Sequence, residues 1–343
     1  MTATLSRRPM SGWVLAAALS GLALSVLGAV TVGVADLSPV DVSRSLARHV
    51  GLPVTPLPPL ADSIVWQLRL PRVLLAGLVG AGLAVCGAVL QALTRNPLAD
   101  PYLLGISAGA STGAVSVLVF GLGVGAIALS TGALLGSLAA FGAALLLAGR
   151  RWTEPRRILL AGVAVGQLFA AATSLVVVSD ATAQQTRSIT FWLLGSLTMA
   201  SWATVALSAA VGGVALTICW AAAPALDAFS FGTDVAQSLG FAPARVRAVL
   251  FVTTALLTAV LVAASGAIGF VGLVIPHAAR FLVGARHRVL LPACALIGST
   301  FLIWADTAAR TVFTPQEIPV GVVTALVGVP AFAVLLRRRS GER

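Results

Sequence analysis

Long apolar stretches follow one another along the chain, separated only by short polar connections, and this pattern leaves one kind of fold open. A helix that crosses a lipid bilayer needs about 20 mainly apolar residues. Hydrophobic residues make up 58% of the 343 residues and charged residues 10%, unlike a soluble globular domain. The sequence therefore predicts an all-α polytopic membrane protein with one transmembrane domain over residues 1–343. Ten spanning helices are predicted at roughly 11–34, 64–93, 103–121, 126–149, 158–179, 201–222, 246–265, 268–284, 289–309 and 318–336.

An uneven distribution of arginine predicts how this bundle is oriented. With the N-terminus inside, sixteen arginines fall on the inner side and six on the outer side, which satisfies the positive-inside rule. Both termini are then cytoplasmic, because the number of spans is even. Arg7 and Arg8 followed by an apolar run resemble a signal peptide, but the run is about twice the usual 7–15 residues. We therefore expect an uncleaved first helix in a bacterial inner membrane.

Two apolar segments are interrupted at corresponding places in the two halves of the chain. Gly87 lies ten residues before Pro97, and Gly266 lies ten residues before Pro276. By the predicted orientation the two helices run in opposite directions, which indicates an inverted repeat. Paired broken helices of this kind are typical of a transport pathway. Residues predicted to form or gate the pathway at the two breaks are Asn96, Pro97, Asp100, Gly105, Pro276 and His277.

The charged and polar residues exclude several functions and leave others open. The chain contains no lysine, so it cannot carry the phosphate-binding loop of an ATPase. No His, Cys, Asp and Glu cluster has metal-ligand spacing, and we expect no cofactor on this chain and no nucleic-acid partner. Asp306 is the only acid within a predicted span, and we expect a local pair with Arg310 one turn away. Gln91 and Gln167 are candidate pathway contacts, although hydrogen bonds between helices explain both glutamines more simply.

Two surfaces outside the spans are candidate docking sites. Arg69, Arg72 and Arg310 lie at the outer rim against the positive-inside rule; they suit either carboxylates of a soluble protein or lipid phosphates. The longest inner loop, 223–245, mixes polar and apolar residues at helical spacing and is predicted to form short amphipathic helices that dock a partner. Its candidate contact residues are Asp227, Asp234, Ser238, Leu239 and Gly240.

Four long motifs give the chain a specific resemblance to a known family. They are RLPR at 69–72, GAVLQALTRNPLADPYLLGISAGAS at 87–111, GAIGFVGLVIPHAARFLVGARHRVLLP at 266–292 and EIPVGVVTALVGVPAF at 317–332. In this order they resemble the FecCD-type permeases, the membrane subunits of ABC importers for ferric siderophores, haem and cobalamin.

The resemblance implies a type II ABC importer permease with ten helices that pairs with a second permease subunit, as a homodimer or a heterodimer. It implies two cytoplasmic ATPases, which bind ATP and magnesium and dock on the 223–245 loop. It also implies an extracytoplasmic binding protein whose glutamates meet Arg69, Arg72 and Arg310. The expected activity is alternating-access import of a ferric siderophore, with haem and cobalamin as alternatives.

Two other classes of function remain to be weighed against this one. An ion-coupled secondary transporter would use His277 or Asp306, but it usually keeps an acid or a histidine relay near the middle of the membrane. A membrane scaffold or assembly subunit would move no ligand at all. The scarcity of acids within the predicted spans and the long inner loop favour the ABC importer.

Overall fold

The computed structural model describes residues 12–33, 35, 37–123, 125–314 and 316–340. Arg7, Arg8 and Arg343, which contribute to the predicted orientation, lie outside the described residues. The helices are α1 (Gly12–Thr31), α2 (Pro39–His49), α3 (Pro59–Ser63), α4 (Leu70–Thr94), α5 (Ile106–Phe120), α6 (Gly125–Ala148), α7 (Pro155–Asp180), α8 (Ala183–Leu193), α9 (Trp202–Ala221), α10 (Ala223–Phe231), α11 (Thr233–Ser238), α12 (Pro243–Ser265), α13 (Val271–Val283), α14 (His287–Thr311) and α15 (Val320–Ser340). A π-helical segment, Ile64–Arg69, joins α3 to α4 without a break.

Each of the ten predicted spans coincides with a helix, and the all-α membrane fold is confirmed. Among the described residues, six helical stretches are long and apolar enough to cross a bilayer: Pro59–Thr94, Gly125–Arg151, Pro155–Asp180, Trp202–Ala221, Pro243–Ser265 and His287–Thr311. The other four are shorter apolar helices, at Ala16–Thr31, Ile106–Phe120, Val271–Val283 and Val320–Ala333. Helix α5 follows the first predicted break. The second is predicted at Pro276, which is wrong: the chain is interrupted before α13, and Pro276 lies inside that helix.

Helix α4 forms the centre of the bundle, and glycines let its neighbours approach it. Within the Pro59–Thr94 stretch, 89% of the most apolar window is buried. A Cβ atom on Gly80 would lie 2.1 Å from the carbonyl oxygen of Gly298 in α14, so the two backbones touch. On the other side, Gly87 meets the backbone of Gly272 in α13 in the same way. Such small-residue crossings replace the hydrophobic driving force that is missing between helices in lipid.

A second layer consists of α5, α6 and α7, and the spaced glycines of the sequence hold it together. A Cβ on Gly109 would lie 2.3 Å from the Gly136 oxygen, and one on Gly113 would lie 2.0 Å from the Gly132 oxygen. Glycines spaced four residues apart in the sequence predict close helix packing in lipid, and these contacts confirm it for the two pairs. The same prediction is wrong for Gly121 and Gly125, which have the spacing but have open space around them and positive φ of 63° and 85°. They form the turn between α5 and α6.

Two short helices on the outer side begin with capping boxes. Ser38 and Asp41 cap α2, and hydrogen bonds from Ser38 lower the pKa of the Asp41 carboxyl. Thr182 and Gln185 cap α8 in the same reciprocal way. The sequence predicts an outer loop with one short helix at 35–62, and the structure has α2 and most of α3 there. Helix α8 is an addition to the predicted elements, although the Thr182-x-x-Gln185 pattern is a recognised helix-start signal.

Candidate functional site

The three outer arginines point into the bundle. The Arg69 side chain is 7% exposed and donates hydrogen bonds to the carbonyl oxygens of Val30 at 3.0 Å, Thr31 at 3.0 Å and Ala35 at 2.8 Å. Arg310, which is 8% exposed, donates to the carbonyl oxygens of Val32 at 2.8 Å and Ala29. Both guanidinium groups therefore satisfy the carbonyls at the C-terminal end of α1, where a helix leaves them without partners and favours positive charge.

Arg72 forms the strongest ion pair among the described residues near this rim. Its Nε lies 3.0 Å from Asp306 Oδ2 and its Nη2 lies 3.0 Å from Asp306 Oδ1, a bidentate geometry. The remaining Nη1 donates to Glu317 at 3.0 Å. Arg310 Nε lies 3.8 Å from the Asp306 carboxylate, so the predicted local pair is secondary. The main partner of Asp306 comes from α4 instead, because α4 and α14 cross in close contact.

The structure shows where these three arginines lie, and their role in docking a binding protein stays a prediction. In the isolated chain each guanidinium is engaged by the protein itself. Glu317 is the exposed member of the group, with 40% of its side chain accessible. The sequence analysis assigned no role to Glu317, although it is the first residue of the 317–332 motif that carries part of the family resemblance.

The first break is a compact turn stabilised by its own polar side chains. Asn96 Oδ1 accepts from the Leu98 N–H at 2.9 Å, and Asp100 Oδ1 accepts from the Tyr102 N–H at 2.9 Å. Gly105 ends the turn with φ of 78° and lies against the Gly162 carbonyl of α7, at 2.9 Å from its ideal Cβ position. Pro97 is exposed, whereas Pro101 is buried. The break is therefore a fixed, protein-lined structure from which α5 starts.

The second break lies between α12 and α13 and is bonded directly to the first. Phe270 has φ of 69° and opens α13. The Tyr102 hydroxyl donates to the Ile268 carbonyl at 2.9 Å and accepts from the Ile268 N–H at 2.8 Å. By the predicted orientation Tyr102 follows an inner connection and Ile268 an outer one. The two breaks therefore enter the bundle from opposite sides and meet, and irregular backbone at that depth is tolerated only when protein groups satisfy it.

The sequence analysis did not identify Tyr102. A variant without its hydroxyl group tests whether this side chain holds the two breaks together. Tyr102→Phe leaves both backbone groups of Ile268 without their partner. We expect the folded permease to lose about 2 kcal/mol or more, because each buried unsatisfied group costs about 1–3 kcal/mol. The measurement is the thermal unfolding midpoint of the purified chain in detergent. Thr217→Val is the control, since its hydroxyl bonds only to Gly213 on its own helix; equal midpoints for the two variants would contradict the link.

The two candidate pathway glutamines have different environments. Gln91 is 4% exposed; its Nε2 donates to the carbonyls of Gly272 at 3.3 Å and Leu273 at 3.4 Å, and its Oε1 accepts from Arg280 at 2.7 Å. It fits the simpler interpretation, a hydrogen-bonded junction between α4 and α13. Gln167 is exposed on α7, a helix with only 22% of its apolar window buried. Gln167 alone is therefore available on the surface of the single chain.

The second pair of predicted pathway residues is buried in α13. Pro276 lies inside this helix. His277 is 7% exposed, its Nδ1 lies 3.2 Å from the Leu273 carbonyl and its ring meets Phe332 edge-on at 6.1 Å. A structural hydrogen bond thus accounts for this histidine better than a proton site in the open pathway.

At the inner end, α10 and α11 form the predicted pair of short helices. Asp227 does not project freely: its carboxylate accepts from the His287 N–H at 2.9 Å and lies 2.6 Å from His287 Nδ1, which caps the start of α14. Asp234, Ser238, Leu239 and Gly240 are exposed. Three large apolar side chains are exposed at this end of the bundle: Phe231 at the end of α10 is 77% exposed, and Val235 and Leu239, within α11 and at its C-cap, are 39% and 63% exposed. We call these three residues the inner ridge.

Comparison with known proteins gives a consistent match over nearly the whole chain. The FecCD transport family matches residues 14–338. The cobalamin import permease BtuC of Halobacterium salinarum is 42% identical over 289 residues, which is 82% of this chain and 76% of that protein. The iron(3+)-hydroxamate import permease FhuB of Bacillus subtilis is 36% identical over 93% of this chain and 82% of its own length. The hemin permease HmuU of Yersinia pestis is 41% identical over 81% and 85%.

Solved structures agree with these relatives on the fold. An inward-facing conformation of an ABC transporter described as metal-chelate type superposes with a TM-score of 0.83 at 31% identity, over 95% of this chain and 99% of that one. PsaBC from Streptococcus pneumoniae superposes with a TM-score of 0.52 at 18% identity, over 78% of this chain and 90% of the other. The second likeness concerns the fold alone.

Proposed function

The chain belongs to the FecCD transport family, and we propose that it imports a ferric siderophore as one of two paired permease subunits driven by separate ATPases. It is a multi-pass inner-membrane permease subunit of an ABC importer. The substrate is the proposed part. Relatives named for cobalamin, ferric hydroxamate and hemin share the chemistry of a bulky metal chelate, and the match with FhuB covers the largest share of this chain among these three, 93%. Haem and cobalamin are the alternatives within the same mechanism.

The inner ridge is the observation that carries the proposed ATPase partner. Three large apolar side chains stand exposed beside Asp234, Gln237 and Ser238, at the end of the bundle that the arginines assign to the cytoplasm. Exposed apolar side chains on short helices beside polar ones fit an apolar groove of a partner. ATP and magnesium bind to that partner, an ATPase. We propose that its movement is transmitted to the bundle through α10, α11 and the start of α12.

Leu239→Ser tests this surface. We expect the variant to fold, because the side chain is 63% exposed, and to bind the ATPase at least tenfold more weakly, because a buried apolar anchor contributes about 1.5–3 kcal/mol. The measurement is co-purification of the ATPase with the permease and its affinity in detergent. Leu60→Ser, at a position 75% exposed near the outer loop, is the control. Unchanged ATPase affinity in Leu239→Ser would exclude the ridge. Gly240→Trp is a poorer probe, because Gly240 has φ of 85° and any side chain there is strained.

The outer face is proposed to receive a binding protein through Arg69, Arg72 and Arg310. Arg72 is the arginine that can most easily exchange a partner, because its Nη1 is bonded only to the partly exposed Glu317. A carboxylate of the binding protein would replace Glu317 there without breaking the pair with Asp306. Arg69 and Arg310 would contribute positive potential from beneath, while they continue to hold α1.

An uptake assay in cells tests both the proposed substrate and the requirement for an ATPase. Radioiron-loaded siderophore, labelled cobalamin and labelled haem are supplied to a strain that lacks the permease, with and without this chain. Iron uptake that needs both the chain and an active ATPase is the expected result. Restoration of cobalamin or haem uptake alone would replace the siderophore with that ligand, and uptake that survives loss of the ATPase would contradict the energetic part of the proposal.

A further inference from the structure

A groove at the outer end of α6, α9 and α12 is not used by the proposed transport mechanism. Its deeper part, of about 280 Å³, is lined mainly by apolar side chains from these three helices, among them Ile127, Leu134, Leu207 and Val260. A neighbouring cavity of about 330 Å³ lies under α8 and the 196–199 turn. Both are lined by Ser130, Ala263 and Ala264, so the two spaces adjoin and together form one groove with an apolar part and a polar part.

The polar part carries a cation that has no partner. Arg187 on α8 is exposed and makes no hydrogen bond or ion pair within the described part of the chain. Gln184 and Ser188 from the same helix, and Ser196 and Thr198 from the following turn, line the cavity with it. Arg187 is one of the six outer arginines, and unlike Arg69, Arg72 and Arg310 it donates to no carbonyl or carboxylate of the described residues. A guanidinium beside several hydroxyl and amide groups is suited to a phosphate.

The apolar part contains a buried hydroxyl that also lacks a partner. Ser208 of α9 lines the groove and is 1% exposed, and its Oγ has no hydrogen-bond partner among the residues described. Most hydroxyls in these helices bond to a carbonyl one turn back, as Thr131 does to Ile127 at 2.8 Å and Thr217 to Gly213 at 2.7 Å. A buried polar group without a partner is costly. Ser208 therefore marks a place where an acceptor from another molecule is favourable.

We propose that this groove binds one phospholipid of the outer leaflet, with its phosphate on Arg187 and an acyl chain between α6, α9 and α12. The depth of the site matches such a molecule. Trp202 opens α9 at the level where tryptophans anchor in the interface. Ser208 lies six residues further on, about 9 Å along the helix axis, within reach of an ester carbonyl. A lipid supplies a partner for all three features at once: a phosphate for Arg187, an ester oxygen for Ser208 and an acyl chain for the apolar lining.

Native mass spectrometry of the full chain in mild detergent, titrated with phosphatidylglycerol, tests the phosphate end of the site. We expect one lipid to remain bound, and Arg187→Gln to weaken its binding about tenfold through the loss of one charge-assisted hydrogen bond. Arg44→Gln is the matched control, because Arg44 is also exposed on a short outer helix but lies outside the groove. Equal lipid affinities in the two variants would overturn the proposal.

A second pair of variants tests the acyl-chain end. Ala203 is exposed and lines the groove, whereas Ala206 is exposed on the same helix and does not. Ala203→Trp fills the groove and is expected to abolish retention of the lipid; Ala206→Trp is expected to leave retention unchanged. Glycerol 3-phosphate, which has no acyl chains, should bind at least tenfold more weakly than the lipid. Equal binding of glycerol 3-phosphate would instead identify a site for a free anion, and a change of oligomeric state in Ala203→Trp with normal lipid binding would identify a contact with a second copy. Either result would overturn the lipid assignment.

Discussion

Asp306→Asn is expected to lower the free energy of unfolding by about 3–5 kcal/mol, the usual consequence of removing one member of a buried ion pair. Asp306 is 1% exposed and neutralises Arg72 at 3.0 Å, with Arg310 at 3.8 Å. An asparagine keeps the shape but removes the buried carboxylate shared by two guanidinium groups, and only the partly exposed Glu317 then remains beside Arg72. The measurement is the denaturation midpoint of the purified permease, together with its abundance in the membrane.

A double-mutant cycle separates this pair from a general effect of the substitution. Arg72→Gln with Asp306→Asn replaces the ions by two amides, and we expect the double variant to be more stable than the sum of the single losses predicts, by at least 1 kcal/mol. Asp180→Asn, at an exposed acid near the end of α7, should behave like the wild type. Additive losses in the cycle would show that Asp306 acts independently of Arg72.

The cycle also bears on the rival energetic mechanism. A carboxylate in a span is a natural candidate for proton coupling. Asp306, however, is held by two hydrogen-bonded nitrogens of Arg72, an arrangement that fixes its position and engages both carboxylate oxygens. Loss of transport in Asp306→Asn should therefore follow the loss of folded protein. A well-folded variant that binds its partners and transports nothing would reopen the coupling role.

How much of the fold follows from the sequence is illustrated by the broken segments. The position of the first break is predicted correctly, because a polar Asn-Pro-Leu-Ala-Asp-Pro run interrupts an apolar helix and its backbone groups need protein partners within lipid. The second break is predicted at Pro276, but it lies between Ser265 and Val271, and Pro276 is inside α13. The sequence does not predict that Tyr102 joins the first break to Ile268, which lies 166 positions later in the chain. A hydroxyl with two backbone partners depends on how α5, α12 and α13 pack, and no local pattern records that.

The sequence also does not reveal the partners of the outer arginines within the chain. Their position at the outer rim follows from counting spans, and their charge suggests a partner outside the chain. Their main partners are distant in the chain: the carbonyls in and just after α1 for Arg69 and Arg310, and Asp306 for Arg72, lie between 34 and 281 positions away. Helix α8 is a different case: its capping box is local, but the helix is short and weakly apolar, so periodicity alone does not separate it from a loop.

Gly87→Ala adds a single methyl group and is nevertheless expected to remove most of the folded permease from the membrane. An ideal Cβ on Gly87 would lie 1.9 Å from the Gly272 carbonyl oxygen and 2.7 Å from the Gly272 Cα, and both obstacles are backbone. Helices α4 and α13 would have to separate by more than 1 Å, which strains the Gln91 bonds to Gly272 and Leu273 across the same crossing.

The control for this change is another glycine within a spanning helix. Gly213 on α9 is exposed and has no atom within 4 Å of its Cβ position, so Gly213→Ala should be neutral or slightly stabilising through its higher helix propensity. Membrane abundance and the thermal midpoint of both variants are compared at equal expression. If Gly87→Ala accumulates and unfolds like Gly213→Ala, α4 and α13 do not cross at this point. The meeting of the two breaks would then have to be explained by a different packing of the central helices, because the approach of α13 to α4 at Gly87 is what brings Ile268 within reach of Tyr102.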